Sequence, residues 1–515
     1  MTVHALSQLT TPNPQPQPAA RPVPSPYDPP LDMQPYDRKE RTHDLHVQGD
    51  VKVSRYIVWQ SAAEGTQPEI VRNYLYIETG DRADRIHVRD WPGNKLQIII
   101  NGESHVFDVK DKDGKQQGLW IETKGGNDQV IIDPDVRVHV DVEGGDGDDY
   151  IQAGAGRTRL YGGEGNDVLR LGSGLGYAAG NEGNDTIIGG TGNAVMYGNK
   201  GNDRLYGGFG PSTKQSYMDG GDGNDHIYAG SGHSVLHGGN GDDHLVGHDR
   251  TTFYTGKGRD TICSNQRNDS IYAKSTDHFN RAQGSRFVAV NSSDAGARGF
   301  TVQPNGTHGF NQQVEDDLEF LRSSPVGQQL LARMDELAVQ NGGPVTIEQG
   351  FYGETFYKFN STELENVPPE AEHAITDSQV GVIVNGVPGA RADRGLIGYQ
   401  HQAILETADR SNTLVPVTGL YHEMLHAYNG ATGTKLSGES YEYPQAKKPK
   451  LVDHEERQVI GLPNLAEPFD LDNDPSTPPS TVNPEPFTEN ALNKEMGKPL
   501  RRTYLWNPSS QGKGL

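Results

Sequence analysis

The chain has 515 residues, enough for two or three domains, and only 33% of them are hydrophobic. A formal net charge of −23 argues against nucleic acid and anionic membrane as main partners and is compatible with bound cations. The single cysteine, Cys263, excludes an intramolecular disulfide and a cysteine-ligated zinc site, and no apolar run approaches the roughly 20 residues of a membrane span.

Residues 1–35 are rich in Pro, Gln, Ser and Thr and cannot bury enough apolar surface to offset their ordering entropy. Disorder is expected there, either as a plain tail or as an uncleaved export signal for a dedicated secretion system. No charged leader precedes an apolar stretch, so Sec-type export is not expected. Residues 36–124 carry short β-type runs such as Arg72–Glu78 and Leu96–Ile100, separated by turn signals at Pro92-Gly-Asn and Asp111-Lys-Asp-Gly. They predict a β region that caps or extends the residues C-terminal to it.

Residues 125–263 are an internal repeat. Its best copies are Gly144-Gly-Asp-Gly-Asp-Asp149, Gly162-Gly-Glu-Gly-Asn-Asp167, Gly180-Asn-Glu-Gly-Asn-Asp185, Gly198-Asn-Lys-Gly-Asn-Asp203, Gly220-Gly-Asp-Gly-Asn-Asp225 and Gly238-Gly-Asn-Gly-Asp-Asp243, and a weaker copy ends at Asp260. The pattern resembles the RTX nonapeptide of calcium-binding, right-handed parallel β-rolls. A roll of this kind turns once in two nonapeptides. The aspartates recur every 18 residues, apart from one step of 22, so they stack in a single column. The intervening half-turns, such as Gly154-Ala-Gly and Gly172-Ser-Gly, have no aspartate at the ligand position. Calcium is therefore expected along one edge only, held by Asp149, Asp167, Asp185, Asp203, Asp225 and Asp243 with backbone carbonyls. The longer step predicts a bulge around Phe209–Gln215 on the other edge. The Val, Leu or Ile two residues after each aspartate is expected in the core.

After Cys263 the pattern fades, and residues 264–313 read as a linker. Residues 314–515 have the composition of a mixed α+β domain. Helical spacing runs from Val314 to Gln340 with a break at Pro325, and strands are expected at Val345–Glu348 and Gly381–Val384.

The next segment is Thr418-Gly-Leu-Tyr-His422-Glu423-Met-Leu-His426-Ala-Tyr-Asn-Gly430, with Thr418 as expected N-cap and Gly430 as expected stop. On a helix, His422 and His426 share one face as a zinc ion requires, and Glu423 can reach a water beside it. Two ligands do not close such a site. Asn429 and Thr432 stand where a metzincin needs Gly and His, so the third ligand must come from elsewhere. The best segment is Asp453-His454-Glu455-Glu456-Arg457, a short helix stopped near Gly461. Glu456 shares the inward face of Val459 and Ile460 and is the favoured ligand; alternatives are Glu455, His454, or a Glu456 that merely caps the helix with Asp453. Tyr441, Tyr443 and Arg502 are candidate oxyanion donors.

The segments TGLYHEMLHAYNG, EERQVIGLP and FTENALNKEMGKPLRRTY, in this order, resemble the NleD-like family of effector metallopeptidases over residues 314–515. The resemblance implies a zincin-like fold, Zn²⁺ on His422 and His426, Glu423 as general base, and a further ligand in the EER segment. It also implies delivery by a type III secretion system, hence a secreted protein acting in a host cell's cytoplasm, a host protein or peptide as substrate, and a secretion chaperone. The expected function is a zinc endopeptidase with a Ca²⁺-binding roll. The alternative is a calcium-dependent binding or adhesion protein with an inactive peptidase-like domain.

Overall fold

The computed structural model describes residue 25 and residues 27–61, 67–110, 117–304, 306–307, 309–350, 355–442 and 449–506. Most of the segment expected to be disordered, the turn expected at Asp111–Gly114, and Tyr443 lie outside them.

Two long sheets face each other. Among the described residues one has 13 strands and the other 12, and from residue 118 onward neighbouring strands run parallel. Successive turns of the chain alternate between the sheets, which makes a β-solenoid of the RTX type. The pairing registers show its period directly: Leu160 pairs with Ala178, and Ile151 with Leu169, 18 residues on. The inner layer is Ile151, Leu169, Ile187, Leu205, Ile227 and Leu245, each two residues after an aspartate and each fully buried. Burying one such side chain contributes about 1.5–3 kcal/mol. Glycine is obligatory at the tight turns. Gly165, Gly183 and Gly201 have φ between 128° and 132°, and a Cβ on any of them would collide with the carbonyl one rung below.

The roll is longer at both ends than its repeats suggest. At the start, the antiparallel strands Arg38–Gln48, Val51–Gln60 and Glu69–Glu78 extend one sheet, and Arg85–Trp91, Lys95–Ile100 and Glu103–Asp108 extend the other. At the end, Ser270–Ala273, His278–Phe279 and Arg286–Ala289 add further parallel strands. Residues 264–289 are thus roll and not linker. They escape the repeat pattern because their turns use Asp269 and Asp277 without the glycine run. The 22-residue step forms the turn between Tyr206 and Gln215, where Phe209 is exposed and the buried Lys214 ammonium donates to the carbonyls of Gly190 and Gly207.

The C-terminal module has a four-stranded sheet ordered Phe300–Val302, Val345–Gln349, Leu396–Tyr399, Phe356–Lys358, with only the last strand antiparallel. Its first strand precedes residue 314, so the module begins inside the segment expected to be a linker. Helices Phe310–Ser323 and Pro325–Asn341 meet at Ser324, whose hydroxyl caps the second by accepting from Gly327 N–H. Gly381–Val384 is not a strand: Gly381 ends a 3₁₀ turn in the left-handed region, and Val382 and Val384 make only isolated bridges.

The two modules share a core. A ladder of tyrosines, Tyr177, Tyr197, Tyr217, Tyr254 and Tyr272, lines the outer face of one roll sheet. Helix Phe310–Ser323 lies across it, and Phe320 packs on Tyr217, His237 and Tyr254. Tyr197 and Tyr399 both donate to Asp317, so a roll residue and a sheet residue of the second module hold the same carboxylate.

Phe320→Ala should therefore cost about 3–5 kcal/mol in denaturant unfolding. The exposed Val339→Ala, on the next helix, should stay within about 0.5 kcal/mol. Equal losses would show that the interface carries no stability.

Candidate metal centres

The aspartates of the repeat stand in one column. In each, Oδ1 accepts the backbone N–H of the aspartate one turn earlier, at 2.7–3.0 Å from Asp149 to Asp260. The other oxygen, Oδ2, is buried and without a hydrogen-bond partner at Asp149, Asp167, Asp185, Asp203, Asp225 and Asp243. At each of these turns Oδ2 and a backbone carbonyl converge on the bare Cα of the glycine five residues earlier. Carboxylate and carbonyl oxygens without donors are the ligand chemistry of Ca²⁺. Asp128, in the same column, has the same orphaned Oδ2. Sequence reasoning passed over it because 21 residues, not 18, separate it from Asp149. At the other end the pattern changes: the Lys274 ammonium lies 2.8 Å from Asp260 Oδ2 and 3.4 Å from Asp277. A side-chain cation closes the column there.

Burial, reinforced by neighbouring carboxylates, pushes these aspartates up, to about 7 for Asp149, Asp167 and Asp185 and about 8 for Asp203, Asp225 and Asp243.

The second constellation is built on helix Pro416–Thr432, which is buried on nearly all sides. It begins one turn earlier than expected, with Pro416 at its first position, and ends at Gly433 in the left-handed region. Gly430 does not stop it; any side chain there would meet the Tyr357 hydroxyl. His422 Nε2 and His426 Nε2 are 3.2 Å apart. Helix His454–Ile460 brings Glu456 Oε2 to 3.1 Å from the first and 3.4 Å from the second. The edges of a zinc tetrahedron with ligand bonds of ~2.0–2.1 Å are about 3.3 Å. The three atoms fit that triangle.

The outer nitrogens are held as well. His422 Nδ1 meets Glu489 at 2.9 Å, and Glu489 pairs with Arg501 at 2.5 Å. His426 Nδ1 meets Glu455 at 3.0 Å, and Glu455 pairs with Lys435 at 3.2 Å. Such partners orient ligand imidazoles. Burial opposes protonation of His422, yet hydrogen bonds to Glu456 and Glu489 push it up to about 9. Burial raises the Glu423 carboxyl, against the pull of His426 and His422. Four carboxylates therefore surround the histidines. Lys435 and Arg501 neutralise two, and among the described residues no Lys or Arg pairs with Glu423 or Glu456. With both imidazoles neutral, as a bound metal requires, the balance is −2 and suits a divalent cation.

The alternatives for the third position are occupied otherwise. His454 bonds the Ser437 carbonyl and the Ser440 hydroxyl, and Glu455 serves His426 from the far side. Asp453 makes no side-chain cap. Tyr441 and Arg502 are exposed. Tyr504 was missed by sequence reasoning: it is partly buried, and burial together with the charges of Glu456 and Glu423 holds its hydroxyl above the usual range. Glu489 was missed too, because nothing in FTENALNKEM distinguishes an orienting glutamate from an ordinary one. A cleft of about 650 Å³ lies elsewhere, between Tyr74, Trp120 and Tyr161 of the roll and Gln313 and Gln400 of the second module.

Residues 298–504 match the Peptidase M91 family, described as effector protein. Residues 143–175, 179–213 and 219–249 match the RTX calcium-binding nonapeptide repeat. No curated protein and no solved structure matches the chain. The layout expected from the residues agrees with these matches: the calcium-binding repeat matches lie upstream of the match to the effector peptidase family. RTX repeats bind calcium, and both families are typical of secreted proteins. No helix among the described residues is long and apolar enough to cross a membrane.

In chelator, the folded chain binds protons that the unfolded chain has already released, since unfolded aspartate titrates near about 4. Stability should then fall as pH rises from about 4 to about 8. Saturating calcium should abolish that fall. Thermal unfolding across this range, with and without calcium, checks it; matching profiles would remove the aspartate column as the calcium site.

Proposed function

We propose that the C-terminal module is a zinc-dependent endopeptidase that acts on host proteins after secretion, with His422, His426 and Glu456 as ligands and Glu423 as general base. The single observation that carries this reading is the His422–His426–Glu456 triangle with its outer nitrogens held by Glu489 and Glu455. Bound zinc would supply Lewis acidity and a water acidic enough to deprotonate near neutral pH. Glu423, buried beside both histidines, would accept that proton and pass it to the leaving amine. Tyr504, whose hydroxyl feels the charges of Glu456 and Glu423, would donate to the developing oxyanion. Arg501 and Lys435 keep Glu489 and Glu455 ionised, so both imidazoles keep their Nε2 atoms turned to the site.

Glu423→Gln should retain zinc and lose at least about 100-fold in cleavage of proteins from a host-cell extract. Glu489→Gln should weaken zinc affinity by roughly 10–100-fold with the fold intact. If the wild-type protein binds zinc but neither it nor the variants cleave anything, the chain is better read as a calcium-dependent binding protein. Absence of zinc from His422 and His426 would end the metallopeptidase reading.

The roll and the metal site are also connected. Helix Glu489–Glu495 orients His422 through Glu489 at one end. At the other, Glu495 accepts from Tyr254 of the roll at 3.1 Å and from Ser324 at 2.5 Å, and the Met496 carbonyl accepts from Thr252. Chelating calcium should therefore weaken zinc binding roughly fivefold or more. A zinc affinity indifferent to calcium would show that the modules are only tethered.

A further inference from the structure

A second cluster of metal-ligating side chains lies at the opposite end of the molecule. Strand Arg38–Gln48 is the edge of one roll sheet, and strand Glu103–Asp108 is the edge of the other. On the second, Glu103, His105 and Phe107 pair with Ile100, Ile98 and Leu96 of the neighbouring strand. Those three partners belong to the inner apolar layer, so Glu103 and His105 occupy inward positions.

The first strand is irregular at the matching point. Asp44 pairs with Ser54 and His46 with Val53, so Leu45 is bulged out. Without the bulge, Leu45 would stand opposite Val53 and face the apolar layer, and His46 would face outward. The strand instead leaves Leu45 41% exposed and turns His46 inward. The rings of His46 and His105 then lie 4.3 Å apart. His46 Nε2 is buried and has no hydrogen-bond partner. Gln48, also on the inward side, donates to Glu103 at 3.0 Å. One ligand atom from each of His46, Glu103 and His105 falls within 4.8 Å of the others.

A leucine displaced outward, and two histidines and a glutamate brought together between two sheets, make poor sense as packing. They make good sense as ligands. We propose that His46, Glu103 and His105 bind a first-row divalent transition metal, with zinc as the reference ion, which clips the two sheets together at the open N-terminal end of the roll. Two imidazoles and one carboxylate match zinc rather than calcium, which takes oxygen ligands. Glu103 is exposed and can swing to close the remaining distance. The site is independent of the peptidase reading and of the aspartate column.

The test counts zinc on the full chain in saturating calcium, after stripping and reloading with Zn²⁺ alone. The wild type should hold two zinc ions per chain. His46→Ala/His105→Ala should hold one and keep its peptidase activity, and His422→Ala/His426→Ala should also hold one. Glu103→Gln, an exposed change that does not threaten folding, should lose one zinc at limiting free metal. In the His422→Ala/His426→Ala background, Co²⁺ should give the visible d–d bands of a tetrahedral site, and Glu103→Gln should weaken them. The proposal is overturned if His46→Ala/His105→Ala and Glu103→Gln both bind as much zinc as the wild type, or if all zinc is lost with His422 and His426. Failure of the peptidase reading looks different: zinc content would then be unchanged by loss of His422 and His426.

Discussion

A column of buried carboxylates with one oxygen each left unbonded is the constraint on which this molecule turns. Burying ionised groups without a partner is costly. The roll nevertheless stacks Asp149, Asp167, Asp185, Asp203, Asp225 and Asp243 on one edge, each with Oδ2 beside a carbonyl and away from any donor. A proton or a cation must neutralise that arrangement, and above about pH 8 only a cation is left. Where the array ends the chain provides its own, in Lys274 on Asp260. The fold of the roll is thus tied to its cations, in keeping with RTX repeats being typical of secreted proteins.

The flat outer face of the roll is what the rest is built against. Its tyrosines stand on successive parallel strands but alternate between two outward positions: Tyr177 and Tyr217 share the register of Val195, and Tyr197 that of Ala179 and Asp219. The resulting ladder accepts helix Phe310–Ser323, and the core runs without interruption from Tyr177 to the helix that carries His422 and His426. Polar anchors give this contact direction. Asp317 takes hydroxyls from both modules, and Glu495 takes Tyr254 and Ser324. The short helix that ends on Glu495 begins at Glu489, which holds His422. The roll is therefore part of the scaffold of the second candidate metal centre.

That centre shows how charge is balanced inside a core. Two of its four carboxylates are neutralised by Lys435 and Arg501 and serve to aim the imidazoles. Of the other two, Glu456 faces the Nε2 atoms and Glu423 is buried next to His422 in the chain, and neither pairs with a Lys or Arg among the described residues. The division separates groups that orient from groups suited to bind or to move a proton.

Much of this was legible in the residues. Six glycine–aspartate repeats determine a parallel roll, because glycine alone tolerates the turn and a recurrence of about 18 residues, one full turn, returns the aspartates to one edge. His422, Glu423 and His426 at helical spacing determine a metal-binding face, because four residues make about one turn. Helical phase singled out Glu456. What remained hidden depended on distance in space between segments remote in sequence. The extra turns around Asp269 and Asp277 lack the glycine signature and show only by pairing with earlier strands. Glu489 and Tyr504 are ordinary residues until the tail folds back on His422 and Glu456. The pairing of His46 with His105 depends on a one-residue bulge, which shifts every side chain beyond it to the other face. The sequence by itself determined the two sets of candidate metal ligands, since ligand type and period are local. Only the tertiary structure decided which glutamate meets which histidine, where the roll ends, and that one core joins the two modules.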